Sequence, residues 1–386
     1  MLDFTYQNPV KILFGKGKIR DLAHEIPSGA TILLLYGEGS IKKNGVHAQA
    51  IKALKGRDIV EFGGIEPNPS YEKAMAAVAI IREKGIDFIL GVGGGSVIDA
   101  AKFIAAAARF TDGDPWRILT GAPVRDALPL GAILTLPATG SEMNADSVMT
   151  RRSTADKLYF ASPLVYPKFS ILDPTTTYSL PPRQIANGIV DAFIHVMEQY
   201  LTFPVDAPLQ DRMAEGILQT LIEEGPKALE RPTDYNVRAN IMWCATLALN
   251  GLICQGVPED WSTHMIGHEI TALHGLDHAR TLAIVLPAVM DMERDRKRDK
   301  ILQYAERIWG IDSAATGAEE TIDRAIAETR AFFEGLGVKT RLGDYGIDGA
   351  SIPAIIHKLE EHGRTALGEH GDIGPDTSRE ILERCL

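Results

Sequence analysis

Cysteine is scarce in this 386-residue chain: Cys244, Cys254 and Cys385 stand without a CxxC pair. An odd count at such spacings makes neither a disulfide framework nor a thiolate cluster, so ordinary reduced thiols are expected. Long apolar runs are also missing, because no stretch approaches the about 18 uninterrupted apolar residues of a membrane span. The opening MLDFTYQNPVKILFGKG has no basic flank leading into an apolar segment; a cytoplasmic chain is expected. Positive charge is in deficit, with 40 Lys plus Arg against 51 Asp plus Glu and a net charge of −11. That balance repels phosphate backbones and anionic headgroups, which argues against nucleic-acid and membrane partners. Two familiar signatures are absent as well, the GxGxxG dinucleotide fingerprint and the HExxH metalloprotease motif, whose general-base position is Met265 here.

What the chain does contain is an alternation. Short β-branched runs at 11–15, 31–36, 58–62, 87–92 and 131–136 alternate with helix-compatible segments at 42–55, 70–84 and 96–109. That rhythm predicts a mostly parallel sheet covered on both faces. Further strand-like pieces lie at 147–151, 157–160 and 169–173, and Pro181-Pro182 then changes the character of the chain. Helical patterns follow at 184–201, 208–224, 235–254, 260–274, 297–309, 317–335 and 376–385. The expectation is an α/β nucleotide-binding domain over 1–181 and an all-helical domain over 182–386, with ligands in a cleft.

Gly91-Val92-Gly93-Gly94-Gly95-Ser96 follows an apolar strand and opens a helix. Without Cβ atoms, Gly93, Gly94 and Gly95 let backbone N–H groups approach a diphosphate at a helix N-terminus. Ser96 and Asp99 also form a capping-box-like pair. A second turn, Gly37-Glu38-Gly39-Ser40, precedes Lys42-Lys43 and is placed to meet an adenosine ribose. Ser40 and the lysines favour a 2′-phosphate, whereas Glu38 favours a free 2′-hydroxyl, so NADP is expected and NAD is the competing cofactor. The segment Thr135 to Asn144, with Thr139 and Ser141 between them, brings hydroxyls and an amide suited to a nicotinamide.

Asp191 and His195 are four residues apart in a helical pattern, hence on one face. His264-Met265-Ile266-Gly267-His268 and His274-Gly275-Leu276-Asp277-His278 place four of ten histidines within fifteen residues. One carboxylate with imidazoles suits zinc, ferrous iron or another borderline divalent ion. Asp191, His195, His264 and His278 are the expected ligands. His268 then remains as a proton-handling group and His274 as a group near the cofactor.

Taken together, GGGSxxD, TxPATGSExN, the Asp-x3-His helix and His-x3-His followed ten residues later by His resemble the iron-containing (group III) alcohol dehydrogenase family over essentially the whole chain. FGKGKI, YGEGSIKKNGV, FGGIEPNP, GIVDAFIHVMEQY and HGLDHA look most like its NADPH-dependent butanol dehydrogenase and broad-range aldehyde reductase subgroup. The resemblance implies a Rossmann-like domain followed by a helical one, the dehydroquinate synthase-like architecture. It also implies a homodimer and one iron or zinc ion on Asp191, His195, His264 and His278. By the same resemblance, Gly93, Gly94, Gly95, Ser96 and Asp99 surround the diphosphate and nicotinamide ribose, and Thr135, Thr139, Ser141 and Asn144 flank the reactive ring. Lys157 looks like the lysine that bonds the nicotinamide ribose. Glu38 and Met143 depart from the subgroup.

The expected reaction is hydride transfer between NAD(P)H and an aldehyde or primary alcohol, with the metal stabilising charge on the carbonyl oxygen and His268, water or the ribose passing the proton. Asp99, Lys157 and His268 are the expected catalytic groups. Two readings compete: an anionic-substrate relative of dehydroquinate synthase or glycerol-phosphate dehydrogenase type, which needs several basic residues by the metal where the sequence offers Arg280, and a non-catalytic metal- or nucleotide-binding protein.

Overall fold

The computed structural model describes residues 1–386. The chain forms two compact units, one of Gln7–Pro181 with Arg231–Thr246, the other of Met1–Tyr6, Pro182–Glu230 and Leu247–Leu386.

The first unit is built on β1 (Lys11–Phe14), β2 (Thr31–Tyr36), α1 (Ser40–Lys43), α2 (Val46–Ala53), β3 (Asp58–Phe62), α3 (Tyr71–Lys84), β4 (Phe88–Gly94), α4 (Gly95–Arg109), β5 (Leu130–Leu136), β6 (Asp146–Arg151), β7 (Asp156–Ala161) and β8 (Phe169–Leu172). Six strands make a sheet in the order β1-β8-β5-β4-β2-β3, all pairs parallel, while β6 and β7 form a separate antiparallel pair. Alternation along β2 explains the two covered faces. Leu33 and Leu35 join a core with α3 and α4, whereas Ile32 and Leu34 join another with α2. The single helix expected over 42–55 is divided into α1 and α2, because Gly45 adopts φ +84 between them.

The helices that follow are α5 (Pro182–Tyr200), α6 (Pro208–Glu230), α7 (Tyr235–Ala248), α8 (Ser262–His274), α9 (His278–Met292), α10 (Arg298–Trp309), α11 (Ser313–Thr316), α12 (Ala318–Gly335), α13 (Ile352–Glu361) and α14 (Pro375–Arg384). Most of α7 belongs to the sheet unit. Arg238 donates through Nε to Thr177 Oγ1 and through an Nη to Thr177 O, both at 2.8 Å, and Thr246 donates to the buried Glu142. Phe14 of β1 packs edge to face against Trp243 of α7.

In the helical unit, α8, α9, α13 and α14 share one apolar core. Sequence patterning misses α9 and α13, and it ends α6 at residue 224, whereas the helix runs through Pro226 to Glu230. Pro226 costs a backbone hydrogen bond, but Gly225 and Ala228 are buried on the packed face. The stretch after α13 reaches back to α8. His362 Nδ1 lies 2.8 Å and Arg364 Nη1 3.0 Å from Oε1 of the fully buried Glu269. Lys297 Nζ donates to Asp260 Oδ2 at 2.6 Å, Glu369 Oε2 at 2.7 Å and Leu201 O at 2.7 Å. Opposite charges and a carbonyl thus surround a buried ammonium. Cys244, Cys254 and Cys385 are free thiols, as expected.

Candidate metal centre and cofactor turns

Helix α5 carries Asp191, His195 and Glu198 at intervals of four and three, so all three side chains lie on one buried face. Helix α8 presents His264 and His268 by the same geometry, and His278 is the first residue of α9. Arg183 Nε and Asn187 Nδ2, both from α5, donate to Asp277 Oδ2 at 2.7 Å, which anchors the residue just before His278. Asp191, His195 and His264 are buried and each offers a donor atom within 4.8 Å of the others'. Asp191 Oδ1 is 3.9 Å from His195 Nε2 and 3.7 Å from His278 Nε2. Ligands about 2.1 Å from one tetrahedral ion stand about 3.4 Å apart, so small side-chain movements close this set on a divalent metal. One carboxylate with imidazoles is also the donor chemistry that iron and zinc accept.

His268 is buried beside the cluster, with its ring centroid 5.1 Å from that of His278 and 6.2 Å from that of His264. Trp261, in a left-handed conformation at φ +61, places its indole 5.3 Å from His264 and 6.4 Å from His195. His274 is exposed at the C-terminal end of α8, apart from the buried imidazoles, and partial burial lowers its pKa. Sequence reading missed Glu198. Its Oε1 accepts from Thr263 N at 2.7 Å and His264 N at 3.3 Å, and its Oε2 meets His264 Nδ1. Burial pushes the Glu198 pKa up, with Asp260 acting in the same direction, while the N–H groups of Thr263 and His264 and the Lys297 ammonium favour its charged form. The available signal was a second acid in α5, three residues after His195 and on the face that carries Asp191.

In the sheet unit, adjoining parallel strands β5, β4 and β2 end in the three segments expected to hold a dinucleotide. Strand β2 continues to β3 on one side and β4 to β5 on the other, so their carboxyl ends border the crevice where open α/β sheets bind ligands. The N-cap of α4 is Gly94, with no side-chain cap, so Ser96 and Asp99 do not form a capping box. A Cβ on Gly95 would lie 2.4 Å from Thr139 Oγ1, which shows how closely the β5 segment packs on the turn.

Asp99 is 8% exposed and engaged within the unit: Oδ1 accepts from Ser141 Oγ at 2.6 Å and Oδ2 from Val148 N at 3.2 Å. Burial pushes its pKa up to about 6 although Lys102 pulls it down. Lys102, fully buried, donates to Asn144 Oδ1 at 2.8 Å and Asp146 O at 2.7 Å, and burial lowers its pKa to about 8. Asn144 in turn donates to Thr139 O at 3.3 Å. Gly95, Asp99, Thr139, Ser141 and Asn144 therefore belong to one connected network, with the buried Thr135 at the end of β5. Lys157 lies elsewhere in the unit, on β7, where Nζ donates to Asn68 Oδ1 at 3.0 Å.

At the β2 turn, Glu38, Ser40, Lys42 and Lys43 are exposed. The two lysines are not equivalent: Lys42 Nζ is 3.2 Å from Glu61 Oε2 and sits 4.7 Å over the Tyr36 ring. Those contacts raise the Lys42 pKa, the Tyr36 hydroxyl contributing first and Glu61 next.

The family model described as iron-containing alcohol dehydrogenase matches residues 9–174, and the model for the C-terminal part of the Fe-containing alcohol dehydrogenase family matches residues 185–366. The NADPH-dependent aldehyde reductase YqhD of Escherichia coli is 60% identical over 386 residues, spanning 99% of each chain. NADH-dependent butanol dehydrogenase B of Clostridium acetobutylicum is 41% identical over 390 residues, spanning 99% of this chain and 98% of that one. The crystal structure of the Escherichia coli protein superposes with a TM-score of 0.98 at 59% identity, covering 100% of this chain and 99% of that chain. With both halves matched in order and the acid–imidazole cluster assembled on α5, α8 and α9, the chain belongs to the iron-containing alcohol dehydrogenase family.

Proposed function

We propose that the chain is an NADPH-dependent aldehyde reductase and alcohol dehydrogenase, acting as a cytoplasmic homodimer. The observation that carries this reading is the buried Asp191, His195 and His264 group with His278 beside it, in a chain 60% identical to an aldehyde reductase. Asp191, His195, His264 and His278 hold one iron or zinc ion, and Gly37–Ser40, Gly93–Ser96 and the Thr135–Asn144 segment hold the dinucleotide. The sheet unit serves as the nucleotide domain and the helical unit as the metal domain. When bound, the metal polarises a carbonyl oxygen and the reduced nicotinamide supplies hydride to the carbonyl carbon.

The protein's own groups do the rest. Asp191 brings negative charge that offsets the cation, and His268, adjacent to the imidazole cluster, handles the proton that the product oxygen gains. Asp99 keeps Ser141 in place through its 2.6 Å hydrogen bond, so its contribution to the cofactor site is made through that loop. Lys157, paired with Asn68, is the group assigned to the nicotinamide ribose. Arg183 and Arg280 both engage Asp277, at 2.7 Å and 3.5 Å, which fits an uncharged substrate better than a phosphorylated one. Support for self-association comes from Met1, Leu2, Phe4 and Tyr6, four exposed apolar side chains within six residues.

The test follows aldehyde-dependent loss of NADPH absorbance with butanal, run beside NADH on metal-reconstituted protein. Turnover should favour NADPH, and Asp191→Ala and His278→Ala should lose metal and activity together. A metal-free variant with near-normal turnover would refute the metal assignment, and absence of turnover with either cofactor would refute the reductase.

A further inference from the structure

Helices α5 and α8 are joined at one carboxylate. Glu198, 2% exposed, uses Oε1 to accept the backbone N–H groups of Thr263 and His264 in the first turn of α8, where no intrahelical acceptor exists. Its other oxygen lies against Nδ1 of the His264 ring. A side chain that binds both the start of a helix and a ring on that helix determines where the ring stands and how it is turned.

We infer that Glu198 is a positioning residue that sets the tautomer of His264, keeping the proton on Nδ1 so that Nε2 is the donor atom presented beside Asp191 and His195. The inference rests on the metal reading above, since it assigns Nε2 the role of ligand. Imidazole ligands in metal sites commonly donate their second N–H to a carboxylate, which orients the ring and raises its basicity. Here the same carboxylate also sets the register of α8 on α5, so losing it disturbs both the ring and the helix that carries it.

The substitution Glu198→Gln separates these effects. The carboxamide oxygen can still accept from Thr263 and His264 N–H, but its NH2 group then faces Nδ1 and moves the ring proton to Nε2. Competition between purified protein and a chromophoric chelator for Zn2+ should show affinity reduced by roughly 10- to 100-fold relative to wild type. Affinity equal to wild type in a cooperatively folded E198Q would overturn the proposal. Should E198Q fail to fold, the 15N–1H ring correlations of His264 in metal-free wild type decide the matter, with the signal assigned by comparison with His264→Asn. A proton on Nδ1 supports the proposal and a proton on Nε2 overturns it. Wild type that binds no Zn2+ would instead refute the metal reading while leaving the tautomer result standing.

Discussion

Lys102 Nζ and Asn144 Oδ1 stand 2.8 Å apart inside the sheet unit, joining the middle of α4 to the loop that follows β5. Asn144 then donates to Thr139 O, and Thr139 packs against Gly95, so a buried ammonium supports a segment assigned to the cofactor. Replacing Lys102 by Met leaves Asp146 O without this donor and removes one of those serving Asn144. Urea denaturation should show a loss of about 2–3 kcal/mol. The KM for NADPH should rise more than kcat falls, and an unchanged KM would dissociate Lys102 from cofactor binding.

Asp99 gives the fold a pH dependence of defined sign. Burial raises its pKa to about 6 from an ordinary 3.8, so the folded state holds the proton more tightly than the unfolded chain. Its contribution to stability is therefore complete below about pH 4 and is lost as pH rises through about 6. The unfolding free energy of wild type minus that of Asp99→Asn should fall by about 3 kcal/mol between pH 4 and 7 and then level off. A flat difference would mean that Asp99 is ionised throughout.

The approach of Gly95 to Thr139 predicts a coupled pair. Gly95→Ala alone should destabilise by about 1–3 kcal/mol, since the added carbon would stand 2.4 Å from Thr139 Oγ1. In a Thr139→Ala background the nearest atom becomes Cβ, 3.0 Å from the added carbon, and part of the loss should be recovered. Thermal unfolding of the four proteins gives the coupling energy, and additive effects would refute the packing argument.

Cofactor preference should depend on Glu38 and Lys43 more than on Lys42. Both lysines are exposed, but Lys42 is engaged by Glu61 and Tyr36. Glu38→Gly should raise the ratio of kcat/KM for NADPH over NADH by roughly tenfold, equal to about 1.4 kcal/mol. Lys43→Ala should lower the ratio more than Lys42→Ala does, and the opposite order would place the 2′-phosphate at Lys42.

Much of this molecule was legible before its structure. The strand at 31–36 and a helix after the glycine turn, expected over 96–109 and found from Gly95, follow from period and punctuation, because burial on both faces leaves continuous apolar runs bounded by glycine. Asp191 and His195 were legible because a spacing of four is a geometric statement about one helix. Glu198 was not, since its partners Thr263 and His264 are 65 and 66 residues away and no local rule connects them. The capping-box reading of Ser96 differs from the structure for a related reason: the tight packing of Gly95 against Thr139 is a long-range constraint, and Gly94 is the N-cap, without a side-chain cap bond. The hidden α9 contains Pro287 and an almost wholly apolar face, which conceals amphipathic periodicity.

The buried ammonium of Lys297 has a bearing on how the protein is made. Its partners Asp260 and Glu369 come from opposite ends of a long stretch, Glu369 lying 72 residues beyond Lys297, and Glu269 receives His362 and Arg364 from 93 and 95 residues downstream. Chains emerge from the ribosome N-terminus first, and domains fold as units once complete. The helix that carries His264 and His268 thus acquires its last buried partners only when residues 362–369 have been synthesised. The buried contacts that hold this helix are consequently completed late in synthesis, after the sheet strands of residues 11–172 have been made.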